Sequence, residues 1–207
     1  MGVDKLMIRK GNIMIKVNAI GDTCPIPVIK TKKAISEAAG QGTIEVLVDN
    51  EIAVQNVTKM AESEGGKVVS EKVAEKEYKI TIELLGEAKA AEAAEEENLV
   101  VVISSDRMGS GNDALGKVLI KGFIFAVTQL EHLPKTILFY NGGATLTAEG
   151  SDSLEDLKHL EEEGVEILTC GTCLNYYNLT DKLQVGSVTN MYTIVEKMAG
   201  ADKIITP

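Results

Sequence analysis

The sequence predicts an α/β protein in two parts: a βαβαββ two-layer sandwich, then a three-layer α/β domain with a mainly parallel sheet. Three observations carry this. Strand-length and helix-length stretches alternate along the chain. The leading strand runs of the second half are apolar throughout, as strands covered on both faces are, while several in the first half alternate apolar and polar. Between the halves lies GEAKAAEAAEEEN, residues 86–98, with one Lys and five Glu among alanines and no large apolar residue to anchor it. It reads as a linker, so the predicted domains are 1–85 and 99–207.

In the first domain, IMIKVN (13–18) alternates like a strand. Residues 26–38 read as a helix with Val28, Ile29, Ala34, Ile35 and Ala38 as its apolar stripe. TIEVLV (43–48) is a strand ending at Asp49-Asn50, both good helix caps. A second helix over 51–63 turns Ile52, Val57 and Met60 inward. After Gly65-Gly66, runs 67–73 and 77–84 form a terminal hairpin.

In the second domain, LVVVIS (99–104) is a buried strand, followed by a glycine-rich loop and a helix from about 113 to 131. TILFYN (136–141) and VEILTC (165–170) are strands flanking a charged helix over 152–163. A helical turn is expected at 174–178, a short strand at 183–188, a helix at 190–198 and a last strand at 202–206. The alternation implies parallel strands with helices on both sides.

The net charge of −10 argues against nucleic acid and against anionic membrane surfaces as partners. No run approaches the ~18 apolar residues a membrane span needs. The N-terminus lacks a cleavable leader pattern and reads as a retained cytoplasmic start. Three cysteines do not make a disulfide scaffold, so the thiols are either buried filler or reactive.

Gly21-Asp22-Thr23-Cys24-Pro25-Ile26-Pro27-Val28 places a cysteine before two prolines at a helix start. Proline suits the first helical turn, where its φ is already helical and its missing N–H is not needed. Pro25 and Pro27 therefore announce the helix and stiffen the loop around Cys24. A helix N-terminus favours an anion, and Lys30, Lys32 and Lys33 add positive charge. Cys24 is thus a candidate nucleophile; the plainer reading is a cysteine plugging the gap between strand and helix.

Open α/β sheets bind ligands beyond the carboxyl ends of their strands. Here those ends carry Ser104–Asn112, Asn141-Gly142-Gly143, Thr169–Cys173 and Thr189–Tyr192. If the strands are parallel, these loops share one rim, with Asp106, Gly109, Gly111, Asn141 and Asn190 as candidate ligand residues and Cys170-x-x-Cys173 at redox spacing. No second ligand pair accompanies the cysteines, and His132 and His159 fall on helix faces away from the rim, so no metal is assigned. Residues 111–117, GNDALGK, fit G-x4-G-K, but Val118 stands where a Ser or Thr should hold Mg²⁺. No cofactor is implied.

The Cys-Pro-x-Pro element, with Lys32-Lys33-Ala34-Ile35 behind it, resembles the core motif of the TusA/SirA family of small sulfur carriers over about residues 13–84. Asn18 and Asp22 stand where that family usually has Asp and Leu. The resemblance implies that Cys24 carries sulfane sulfur as a persulfide. The second domain is similar, more loosely, to DsrE-like proteins, whose cysteine at the end of a central strand corresponds to Cys170. The whole chain resembles the YedF family, described as sulfurtransferase-like and linked to selenium metabolism. The TusA/SirA resemblance implies sulfur taken from one protein and passed to another; with the second thiol pair on the rim, the expectation is a persulfide or selenide donor such as a cysteine desulfurase, an unknown acceptor, and Cys170 or Cys173 as the intramolecular acceptor or the resolving thiol. The DsrE-like resemblance also points to a homo-oligomer through domain two, as does the apolar helix at 113–131. The competing expectation is a non-catalytic module that senses redox state or binds a small ligand on the rim.

Overall fold

The structure is a computed structural model that describes residues 5–9, 12–23, 25–39, 41–85 and 97–207. Cys24 and residues 86–96 of the expected linker lie outside the described residues. The chain divides into two compact units, Met1–Glu92 and Ala93–Pro207.

The first unit contains β1 (Lys5–Arg9), β2 (Asn12–Asn18), α1 (Ile26–Glu37), β3 (Gln41–Val48), α2 (Glu51–Ser63), β4 (Lys67–Ala74) and β5 (Glu77–Leu85). The sheet order is β1-β2-β3-β5-β4. β2 and β3 are parallel, as a connection through α1 requires, and the other pairs are antiparallel. The sequence expectation lacked β1: five residues bounded by Lys and Arg give too short an alternation to register, and pairing with β2 supplies the stabilisation.

Alternation decides the faces. Ile15, Val17, Ile44, Val46, Val48, Ile80 and Ile82 point into the core beneath α1 and α2. Outward residues form ion pairs instead, Lys16–Glu45 at 2.8 Å and Lys79–Glu71 at 2.5 Å. This is the expected two-layer sandwich. One inward assignment is corrected: Ile52 is 69% exposed. The face of α2 toward the sheet is Ala53, Val57 and Ala61, at i, i+4 and i+8, which turns Ile52 outward by one helical step.

The second unit contains β6 (Leu99–Ile103), α3 (Asp113–Val127), β7 (Thr136–Phe139), a 3₁₀ segment (Asn141–Thr147), α4 (Leu154–Glu162), β8 (Glu166–Cys170), α5 (Gly171–Tyr176), β9 (Ser187–Thr189), α6 (Met191–Ala199) and β10 (Lys203–Ile205). The sheet runs β10-β6-β7-β8-β9, every pair parallel. Val101, Ile103, Ile137, Phe139 and Ile167 meet α3 and α4 on one face. Val100, Val102, Leu138, Leu168 and Cys170 meet Ile194 of α6 on the other. That two-sided burial is why β6 and β7 read as unbroken apolar runs.

Three boundaries differ from expectation. α3 ends at Val127, where the Thr128 hydroxyl turns back to donate to the Phe125 carbonyl at 2.7 Å, so His132 lies in the following loop rather than on a helix. The helical turn expected at 174–178 is α5, starting directly after Cys170. The strand expected at 183–188 is β9 at 187–189, because Leu183 bridges to Ala148 instead.

Candidate functional site

Cys24 lies outside the described residues, but the residues flanking it are described. Pro25 is the N-cap of α1, and Pro27 sits in the first turn. The Ile26 N–H donates to the Thr23 carbonyl at 2.9 Å. Pro25 and Pro27 have no N–H, and the Val28 N–H donates to the Pro25 carbonyl at 3.1 Å, so among the described residues this turn holds no spare donor and what α1 offers an anion there is the macrodipole. Gly21, at φ +82°, donates its N–H to Asp49 Oδ2 at 2.9 Å. The Asp49 carboxyl titrates below the usual range because Asn50 and then the Gly21 N–H bond its ionised form. Asn50 performs the capping expected of the pair, accepting from the Ala53 N–H at 2.8 Å.

The lysines divide. Lys30 Nζ pairs with Asp22 Oδ2 at 2.5 Å and donates to the Asn18 carbonyl at 3.1 Å. It ties strand, loop and helix together and neutralises Asp22 beside the motif. Lys32 is directed to Glu64 at the end of α2, at 3.8 Å. Lys33 is exposed on α1.

In the second unit, the loops after β6, β7, β8 and β9 leave the same edge of an all-parallel sheet. Cys170 closes β8 and is 2% exposed, while Cys173 is half-buried; both are free thiols. Cys170 is the N-cap of α5 and Cys173 its third residue, positions whose side chains face each other. Cys173 packs against the core cluster that contains Cys170. The Asn141 backbone N–H donates to Cys173 Sγ at 3.0 Å, and the Tyr177 hydroxyl donates to Asn141 Oδ1 at 3.3 Å. Burial pushes the Cys173 thiol up, the Cys170 thiol pushes it further, and the Asn141 N–H pulls it partly back.

Glycine makes the Asn141 contact possible. A Cβ on Gly143 would stand 2.2 Å from the Ile103 carbonyl oxygen, so only glycine lets this segment lie against the end of β6. Asn141 itself is at φ +49°, a conformation asparagine tolerates.

The remaining rim candidates do not join this cluster. Asp106 is engaged by Arg107 at 3.2 Å and Lys117 at 3.9 Å, and adjoins Gly142. A groove of about 290 Å³ beside Asp106 is lined by Lys117, Lys121, Thr145 and Ser151, and neither cysteine lines it. Asn190 caps α6, accepting from the Thr193 N–H at 3.1 Å. Gly109 and Gly111 face open space. The G-x4-G-K match does not form a phosphate loop: Gly116 and Lys117 are already inside α3, and Gly116 is there for close packing, 2.9 Å from its added Cβ to Arg107 Cβ. Tyr177 was not singled out from the sequence, although its i+4 spacing from Cys173 was the available signal.

Fold and site together define an α/β protein of two compact units, one with a Cys-Pro-x-Pro sequence at the start of α1 and the other with a strand-end thiol pair. The family model for the sulfurtransferase TusA matches residues 15–84, and that for the DsrE/DsrF-like family matches residues 126–207. A protein of Methanocaldococcus jannaschii named as a sulfur carrier is 39% identical over 69 residues, 33% of this chain and 92% of that protein. The chain belongs to the TusA family and carries a DsrE/DsrF-like domain behind its TusA domain. Among solved structures, the SirA-like protein of Desulfitobacterium hafniense is 39% identical, covers 34% of this chain and 95% of its own, and gives a TM-score of 0.32. The ychN protein of E. coli is 17% identical, covers 54% and 99%, and gives 0.40.

Proposed function

We propose that the protein carries sulfane sulfur on Cys24. The Cys24 thiolate attacks the outer sulfur of a donor persulfide, the donor's S–S bond breaks, and the donor departs as a thiolate. The supporting observation is the 39% identity across 92% of the protein named as a sulfur carrier, together with the TusA family match at residues 15–84, which holds Gly21 to Val28. A cysteine desulfurase is the proposed donor. The proposed path continues to Cys170 or Cys173 within the chain or to a separate acceptor, and selenium is the alternative cargo. The proposed setting is the cytoplasm; among the described residues no helix is long and apolar enough to cross a membrane.

The test is to incubate the protein with a cysteine desulfurase and cysteine, or with a selenium donor, and map adducts by mass spectrometry. Sulfur or selenium on Cys24 is expected. No adduct on Cys24, in material whose Cys24 alkylates readily, overturns the reading.

A second reading is favoured by the packing of Cys173 against the cluster that holds Cys170: the DsrE-like unit is a redox-sensing regulatory module. It requires that Cys24→Ser leaves function intact while Cys170→Ser abolishes it.

Self-association through the second domain is also proposed. α3 buries Ile120, Ile124 and Val127 but exposes Leu115, Val118 and Leu119. Analytical ultracentrifugation at micromolar concentration should show an oligomer that Val118→Glu dissociates; a monomeric parent refutes the proposal.

A further inference from the structure

We propose that Cys173 and Cys170 form a discharge pair: Cys173 takes up a sulfane sulfur, and Cys170 displaces it as hydrogen sulfide by closing a Cys170–Cys173 disulfide. This deepens the reading above and rests on its premise that the chain handles sulfane sulfur.

Exposure assigns the roles. Cys170 is 2% exposed and packed among Val100, Val102, Leu138, Leu168 and Ile194. A donor cannot reach it, so incoming sulfur meets Cys173. Cys173 stands three residues after Cys170, in the first turn of α5, and packs against the cluster that holds it; a Cys-x-x-Cys turn is short enough for a disulfide. The Asn141 N–H at 3.0 Å gives Cys173 Sγ a fixed donor, worth most when that sulfur or its substituent carries charge. Its position is set by backbone, through Gly143 against Ile103.

The step balances without an outside oxidant. Cys170 attacks Sγ of the Cys173 persulfide; the bond between Sγ and the outer sulfur breaks. The outer sulfur leaves with the electron pair and takes up the proton from Cys170. It gains two electrons, and each cysteine sulfur gives one. A dithiol reductant then returns the pair to its starting state with two electrons and two protons. Because burial and Cys170 hold the Cys173 thiol up, uptake accelerates as pH rises above neutrality.

The experiment uses the full chain carrying Cys24→Ser, fully reduced, with glutathione persulfide as donor. Sulfide release and the peptide spanning 170–173 are followed together in a single turnover. One sulfide released per Cys170–Cys173 disulfide formed is expected. Adding Cys170→Ala should slow release by more than about tenfold and leave a persulfide on Cys173. Adding Cys173→Ala should abolish uptake. Stoichiometric sulfide without the disulfide, unchanged release from the Cys170→Ala chain, or sulfur resting on Cys170 overturns the proposal. If Cys170→Ala fails to fold, the disulfide-to-sulfide ratio in the parent still decides. Loading of Cys24 in the Cys170→Ala/Cys173→Ala chain reports on the carrier reading separately, so failure of one is distinguishable from failure of the other.

Discussion

The N–H of Gly21 donates to Asp49 Oδ2 at 2.9 Å, fastening the loop before Cys24 to the end of β3 across 28 residues. Removing the acceptor by Asp49→Ala should slow sulfur loading of Cys24 severalfold while leaving the fold intact. Asp49→Asn should retain part of the rate. The folded Asp49 carboxyl titrates below its unfolded value of about 3.9. Its contribution to stability is therefore present above about pH 4 and lost as pH falls through the folded value. Acid unfolding should show the parent's advantage over Asp49→Asn disappearing in that range.

Gly21→Ala separates strain from space. Nothing lies within 4 Å of an added Cβ, but φ is +82°. The substitution should cost about 1 kcal/mol from backbone strain alone, measured by urea unfolding.

Gly143→Ala should be worse. Its Cβ would collide with the Ile103 carbonyl at 2.2 Å, and neither backbone segment can yield cheaply. A loss of about 1 to 3 kcal/mol is expected, seen as a lower melting temperature of the second domain. Alkylation of Cys173 should change with it, because Asn141 can no longer hold its N–H on the sulfur.

Cys173 should alkylate with a midpoint above the ordinary cysteine value of about 8.5, since burial and Cys170 both raise it. Cys170→Ala should bring the midpoint part of the way back, leaving the larger burial effect. The sign for stability is opposite to that of Asp49. A raised folded value contributes fully below about pH 8.5 and is lost as pH rises through the folded value. The pH profile of iodoacetamide labelling in the Cys24→Ser background checks both shifts.

On α2, Ile52→Lys should change stability by less than about 0.5 kcal/mol, because Ile52 is exposed. Val57→Ala, at a fully buried position, should cost about 2 kcal/mol. Equal effects would contradict the helix orientation.

What could be read from the sequence was what is local. The strand alternation, the buried runs of β6 and β7, the proline entry to α1 and the Cys-x-x-Cys spacing are all contained within a few residues, and the sheet directions followed from them. What escaped depends on partners far along the chain. Asp49 looked like a helix cap, but it accepts from its neighbour Asn50 and from the distant Gly21 N–H, while Asn50 alone does the capping. The donor to Cys173 belongs to Asn141, 32 residues away. Ile52 is apolar, and composition alone cannot say that Ala53 faces the sheet instead. Two prolines announced a helix, yet they also removed two of the N–H donors that a helix start usually presents, and those of Ile26 and Val28 are taken by the Thr23 and Pro25 carbonyls.

The pleat of β8 sends Cys170 toward α6 and its neighbour Thr169 to the opposite layer, where Thr169 bonds Thr147 at 3.0 Å. The sheet is thereby a baffle. Any chemistry at Cys170 therefore falls among the side chains packed with α6, while α3 and α4 lie beyond a single thickness of hydrogen-bonded backbone.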